Sequence, residues 1–253
     1  YWTVPSAILE RSLEQAAARW GVDMTAESAR LVVPPGLRVE KCGFALPDCP
    51  GVIATAHRVT ARPALWPLIG GRFALTARGE GYGGRIDGRA VFKNRFDLSG
   101  PVACEAEIDG VELGRAAWLE QLSGTRIEGT LSGVVSMAGE PRELLAGSGS
   151  AELVIEDGGL RFTEPWRGLS SIEFERVVVK ADMKSLIVTV RSITFAGSGL
   201  EGSLSGTVRL RSRLAASVIN LKGGVSVPAL GGDVSLNVGG TIADPVVRIG
   251  RSS

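Results

Sequence analysis

Hydrophobic and polar positions alternate along most of this chain, and in three places the alternation takes one form. Gly84-Arg85-Ile86-Asp87-Gly88-Arg89-Ala90-Val91-Phe92 has counterparts in Gly129–Met137 and Gly202–Leu210. In each copy the first, third, fifth, seventh and ninth positions are Gly or apolar, and those between are mostly polar. A period of two is that of a strand with one buried and one wet face. Its recurrence predicts a long sheet laid down unit by unit.

The same reading extends over most of the chain. Strands are expected at Ala29–Val33 and Leu37–Lys41, with a turn at Pro34-Pro35-Gly36, and at Val52–Arg62 and Arg72–Arg78. Pro63-Ala64-Leu65-Trp66-Pro67-Leu68 reads as an apolar connection that two prolines keep out of a sheet interior. Further strands are expected at Ala151–Glu156, Leu160–Phe162, Phe174–Lys180, Ser185–Val190, Ile193–Ala196, Leu214–Leu221, Gly224–Val227, Asp233–Val238 and Val246–Ile249. Asp157-Gly158-Gly159 reads as a hairpin turn, and Thr163–Gly168 as a loop. Helical spacing appears twice. Leu9, Leu13, Ala16 and Trp20 form one apolar stripe, predicting an amphipathic helix over about 5–20 with Pro5 in its first turn and Gly21 at its exit. A short internal helix is expected over Leu113–Leu122. The fold class is therefore mainly β: one elongated, strongly curved or folded-over antiparallel sheet in a single domain over 1–253, with two helices.

Composition sharpens this picture. The 34 glycines in 253 residues have no collagen period and sit among Val, Ile, Leu and Thr, as expected of many strands with turns and bulges. With 28 basic and 27 acidic residues, nothing steers the chain globally toward nucleic acid. The basic residues Arg209, Arg211, Arg213, Lys222, Arg248 and Arg251 toward the end fit either a solvated strand face or an approach to anionic lipid. Cys42 and Cys49 flank a turn-like stretch; they either close a small loop as a disulfide or, with Cys104, remain free thiols, and spacing does not decide.

Candidate chemistry is sparse. His57 is the single histidine and has no activated Ser or Cys placed beside it. Glu105 and Glu107 share a strand face, a pairing that arises readily by chance among so many acids. Gly81-Tyr82-Gly83-Gly84 and Gly197-Ser198-Gly199 look like phosphate loops but precede neither a helix nor a Gly-Lys-Ser/Thr. Five tryptophans (Trp2, Trp20, Trp66, Trp118, Trp166) are dispersed rather than clustered for stacking. No catalytic, cofactor-binding or metal residues are expected. The one constellation with functional promise is the shared face of the repeats: Ile86, Ala90 and Phe92 with Leu131, Val135, Met137, Leu204, Val208 and Leu210, interrupted by Gly88, Gly133 and Gly206. That set is either an apolar groove or the core itself.

Two stretches resemble a known group. Arg58-Val59-Thr60-Ala61-Arg62-Pro63-Ala64-Leu65-Trp66-Pro67-Leu68-Ile69-Gly70-Gly71, running on to Tyr82-Gly83-Gly84-Arg85-Ile86-Asp87-Gly88, resembles the strand, apolar turn, strand unit of AsmA-like periplasmic proteins. Val238-Gly239-Gly240-Thr241-Ile242-Ala243-Asp244-Pro245-Val246 resembles the ending of the same group. Their order and the leading helix are similar to the type II secretion system protein N (GspN) family, over about Pro5 to Ile249. The resemblance implies a periplasmic β domain anchored in the bacterial inner membrane, with an accessory role in protein secretion and other type II secretion components as partners. It carries no catalytic residues. AsmA-like proteins also suggest phospholipid as a ligand. No membrane-spanning stretch is visible, and a chain beginning at Tyr1 is expected to be a fragment whose anchor was removed.

Overall fold

The structure is a computed structural model that describes residues 23–33, 35–45, 53–64, 73–93, 100–166, 169–228 and 232–251, together with six positions between 10 and 18. The helix expected over 5–20 thus lies largely outside the described residues; Glu10, Arg11, Glu14, Gln15, Ala17 and Ala18 are helical.

Fourteen strands form one antiparallel sheet in which spatial order is chain order and the sheet is not closed. They are β1 (Asp23–Val32), β2 (Gly36–Ala45), β3 (Ile53–Ala64), β4 (Phe73–Gly81), β5 (Gly84–Phe92), β6 (Val102–Glu112) and β7 (Thr125–Gly139). The second half comprises β8 (Ser148–Trp166), β9 (Leu169–Lys184), β10 (Ile187–Ala196), β11 (Glu201–Arg209), β12 (Val218–Val227), β13 (Gly232–Gly240) and β14 (Pro245–Arg251). Between β6 and β7 the expected short helix is split into a 3-10 turn, Leu113–Arg115, and α1, Ala117–Ser123, which ends at Gly124 in the left-handed region. The accessible surface is 15156 Å², against the ~10,700 Å² expected of a compact protein of this mass. A sheet of this length that is not closed keeps much of its surface in water.

Three expectations are corrected. Asp157-Gly158-Gly159 is no hairpin turn: β8 runs through it for 19 residues. Asp157 adopts φ 49°, and the register against β7 shifts here between Glu128 and Thr130, so the left-handed residue serves a bulge instead. Pro63 is not outside the sheet but pairs with Leu75 on β4. It is tolerated because pairing with β2 stops at Leu37↔Ala61, leaving no acceptor on that side for the N–H it lacks. Similarly, 163–166 belong to β8, and Trp166↔Leu169 closes the hairpin to β9.

A second kind of irregularity keeps the faces sorted. Ala26 and Ala29, Cys42 and Val39, and Ala56 and Val59 lie three apart yet pack in one cluster. Two consecutive polar residues intervene on each strand (Glu27-Ser28, Glu40-Lys41, His57-Arg58), with Lys41 at φ 50°. Lys41 Nζ meets Glu27 Oε2 at 2.6 Å on the wet side, and the Glu27 carboxylate raises the ammonium pKa, first by hydrogen bonding and then by its charge. A second cluster, centred on Phe174, Val177, Leu204, Val225 and Val234, buries the second half of the sheet.

Adjacent glycines on β12 test this geometry. A Cβ on Gly223 would stand 1.9 Å from the Ser203 carbonyl oxygen, whereas one on Gly224 meets nothing within 4 Å. Gly223→Ala is expected to destabilise by about 1–3 kcal/mol and Gly224→Ala to be neutral or slightly stabilising, read as urea midpoints.

Candidate functional site

Residues paired across an antiparallel sheet share a face, so the register can be followed from edge to edge. One row runs Ala29–Val39–Val59–Gly79–Ile86–Ile108–Gly133 over β1–β7. It continues Leu153–Val179–Ile193–Leu204–Gly223–Leu236–Ile249 to β14. The next row on that face runs from Leu31 and Leu37 through Ala61, Ala77, Gly88, Ala106 and Val135. It ends Ala151–Ala181–Val190–Gly206–Leu221–Val238–Val247. Neither row contains a polar side chain in any of the fourteen strands. At the usual strand spacing the stripe is about 60 Å wide.

The residues singled out from the repeats fall on this face. Ile86 and Leu204 share the first row and Val135 lies in the second. Ala90, Cys104, Met137, Gly149, Met183, Val188 and Val208 form a third. Leu131 stands opposite Val111 and Ile155. Phe92 is fully buried, its ring 5.9 Å from that of Phe73. Leu210 lies beyond the end of β11, its N–H donating to the Leu186 carbonyl at 2.7 Å. Burial along the stripe is uneven. Leu204 and Val225 are 7% and 4% exposed, but Ile86 is 43% exposed, and Leu131, Val135, Met137 and Val208 are half-buried.

The glycines of the repeats differ. Gly133 and Gly206 hold φ 148° and 150°, and a Cβ on either would meet a carbonyl oxygen of the next strand, at 2.2 and 2.1 Å. Gly88 has no such strain, and its Cβ would find Ala77 O at 3.7 Å. The second and third copies therefore share a backbone that the first does not.

The opposite face is ionic. Glu40, Arg58, Glu80, Arg85 and Asp109 succeed one another across β2–β6 with alternating sign. Arg58 bonds Glu80 at 3.1 Å, Arg78 bonds Asp87 at 2.6 Å and Arg85 reaches Asp109 at 3.4 Å, while Arg30 pairs with Glu40. Asp87 raises the Arg78 pKa through its hydrogen bond and then its charge. Such exposed pairs are each worth ~0–1 kcal/mol; they fix register more than they add stability. An open cavity of about 840 Å³ lies on this face, lined in part by Arg38, Arg62, Arg89, Glu105 and Glu107. The cavity arginines were not singled out in the sequence, because a charge on the wet face of a strand carries no mark of its partner.

The remaining candidates are placed plainly. His57 is exposed on β3. Tyr82 and Gly83, at φ 52° and 80°, form the two-residue turn joining β4 to β5; the Tyr82 hydroxyl accepts the Thr55 N–H at 2.7 Å. Gly197–Gly199 lies between β10 and β11. Trp118 sits on α1 with its Nε1 buried and without an acceptor; Trp2, Trp20 and Trp66 lie outside the described residues. Among the described residues no group of three or more His, Cys, Asp or Glu could hold a metal ion, and no helix is long and apolar enough to cross a membrane. No family model matches the chain, and neither a curated protein nor a solved structure matches it.

Cys42 is a free thiol, 1% exposed, and Cys104 is a free thiol on the stripe; Cys49 lies outside the described residues. Burial pushes both described thiols above their ordinary pKa. A thiol held protonated in the folded state while the unfolded chain ionises lowers stability as pH rises above the ordinary thiol range. At pH 8 the native protein is expected to alkylate at Cys42 at least tenfold more slowly than the urea-unfolded chain, on the order expected for a buried thiol. Equal rates by peptide mass spectrometry would contradict the burial.

Proposed function

We propose that the chain is a non-catalytic binding module of the cell envelope whose working surface is the apolar face of the sheet, and that this face holds acyl chains. The observation behind the proposal is the stripe itself: rows without a polar side chain cross every strand, while central members such as Ile86 and Val135 are not sealed into a core. Apolar surface left in water on this scale is costly unless something covers it. In this reading the repeats act as Gly-x-apolar strands that let the sheet curve around its ligand.

The resemblance noted in the sequence supplies the setting: an accessory component of type II secretion, periplasmic and anchored in the inner membrane through a segment upstream, with an N-terminal amphipathic helix. Within it a second reading has its own support. The sheet ends in two strands, β1 and β14, that among the described residues are each paired on one side alone, so other secretion components could dock by adding a strand. Charges and proline weigh against that mode: β1 carries Asp23, Glu27 and Arg30, and β14 begins with Pro245 and includes Arg248. The acyl-chain reading therefore comes first.

Organic extraction of protein purified without detergent, followed by mass spectrometry, tests it. Stoichiometric phospholipid is expected from the wild type and from Val134→Asp, on the ionic face, and none from a Val135→Asp variant that keeps its β circular dichroism. Absence of lipid from the wild type would leave edge docking as the reading. If Val135→Asp instead unfolds the protein, at the ~3–5 kcal/mol cost of an unpaired buried charge, the stripe at that point is core.

A further inference from the structure

The ionic face carries a feature that the apolar stripe does not explain. Of the five arginines lining its 840 Å³ cavity, Arg58 is matched by Glu80 and Arg78 by Asp87, and Arg89 stands opposite Glu105 across the β5–β6 pair. Arg38 and Arg62, at the β2–β3 end, are not matched; among the described residues neither guanidinium makes an ion pair or hydrogen bond. Arg38 Nε is shut off from water without an acceptor. The nearest carboxylate on its own strand, Glu40, is taken by Arg30.

Arg62 lines the same cavity as Arg38, and its stem lies over β2. One step beyond the last β2–β3 pair, Leu37↔Ala61, it comes opposite Gly36, where an added Cβ would stand 2.7 Å from Arg62 Cγ and 3.5 Å from its Nε. The missing side chain is therefore the space the Arg62 stem occupies. Gly36 and Arg38 lie two apart on one strand and so share a face. Both arginines line one cavity with no ion pair of their own among the described residues, and a buried N–H without an acceptor costs free energy that a ligand can return.

We infer that the β2–β3 end of this cavity binds a phosphate group between Arg38 and Arg62, with Thr60 lining the space beside them. A tetrahedral dianion has oxygens enough for two guanidinium forks, whereas one carboxylate matches one fork. The cavity far exceeds a bare phosphate, and its other wall carries Glu105 and Glu107, which make no ion pair among the described residues. The group thus belongs to a larger molecule whose remainder is not anionic. A soluble phosphate ester and a lipid headgroup both have this chemistry. The site is on the face opposite the apolar stripe, so it stands or falls separately from the acyl-chain reading.

The test titrates the full chain, at fixed ionic strength, with glycerol 3-phosphate by calorimetry and with phosphatidylglycerol vesicles by co-sedimentation, phosphatidylcholine vesicles being the reference. The Arg38→Gln/Arg62→Gln double variant is expected to bind at least tenfold more weakly than wild type, and Arg209→Gln, exposed on β11, to bind unchanged. Binding of the ester assigns a soluble ligand, and binding of anionic vesicles alone assigns a headgroup; either supports the site if the double variant loses it. Wild type that binds neither, or a double variant with unaltered melting and unaltered affinity, overturns it.

Discussion

The structure depends on one constraint, the period of two in a pleated strand, held in register across fourteen neighbours. A slip of one residue between any two strands would send the apolar set of everything beyond it to the ionic face. Among the described residues each strand pairs only with its neighbours in sequence, so no long-range strand pairing corrects such an error. Register must be fixed locally, and two devices do so. Cross-strand ion pairs such as Arg78–Asp87 and Arg58–Glu80 reward one alignment. Paired polar residues at Glu40-Lys41 and Glu156-Asp157, each with one residue in the left-handed region, absorb a place where strict alternation would have inverted the faces.

That constraint also explains the uneven core. One open sheet has no second sheet to pack against, so its apolar face is buried in patches: around Ala29, Val39 and Cys42 in the first half and around Phe174 and Val225 in the second. Between these patches, members such as Ile86 and Val135 stay open to water at least in part. The two faces consequently offer different chemistry on one scaffold: a broad apolar stripe for which acyl chains are proposed, and an ionic lattice whose β2–β3 corner is proposed for phosphate. Neither needs a residue of unusual reactivity.

The β class and the shared face of the repeats were legible in the sequence because both rest on a period of two, which ordinary alternation displays at Ile86, Ala90 and Phe92. Strand ends were less legible. Asp157-Gly158 satisfies turn and bulge alike, since both ask for a left-handed residue, and only pairing with β7 distinguishes them. Pro63 was assigned to a connection because its missing N–H matters only where a neighbour strand exists, a fact of register and not of composition. The unmatched arginines were invisible for a similar reason: Arg38 differs from Arg58 only in having no carboxylate within reach, and the strand carrying that carboxylate is known only once the sheet is built. What made Gly36 informative was likewise spatial, the Arg62 stem lying where its side chain would have been.

The most direct measurement of this account is a cysteine scan along β7, Thr125–Gly139, in a background without Cys42, Cys49 and Cys104, each site labelled with a polarity-sensitive fluorophore. The register gives odd-numbered positions from Ile127 to Met137 to the apolar face and even-numbered positions to water. Emission alternating with that phase, blue-shifted at 131, 135 and 137 and red-shifted at 130, 134 and 136, is the expected result. A scan without alternation, or with the opposite phase, would contradict it.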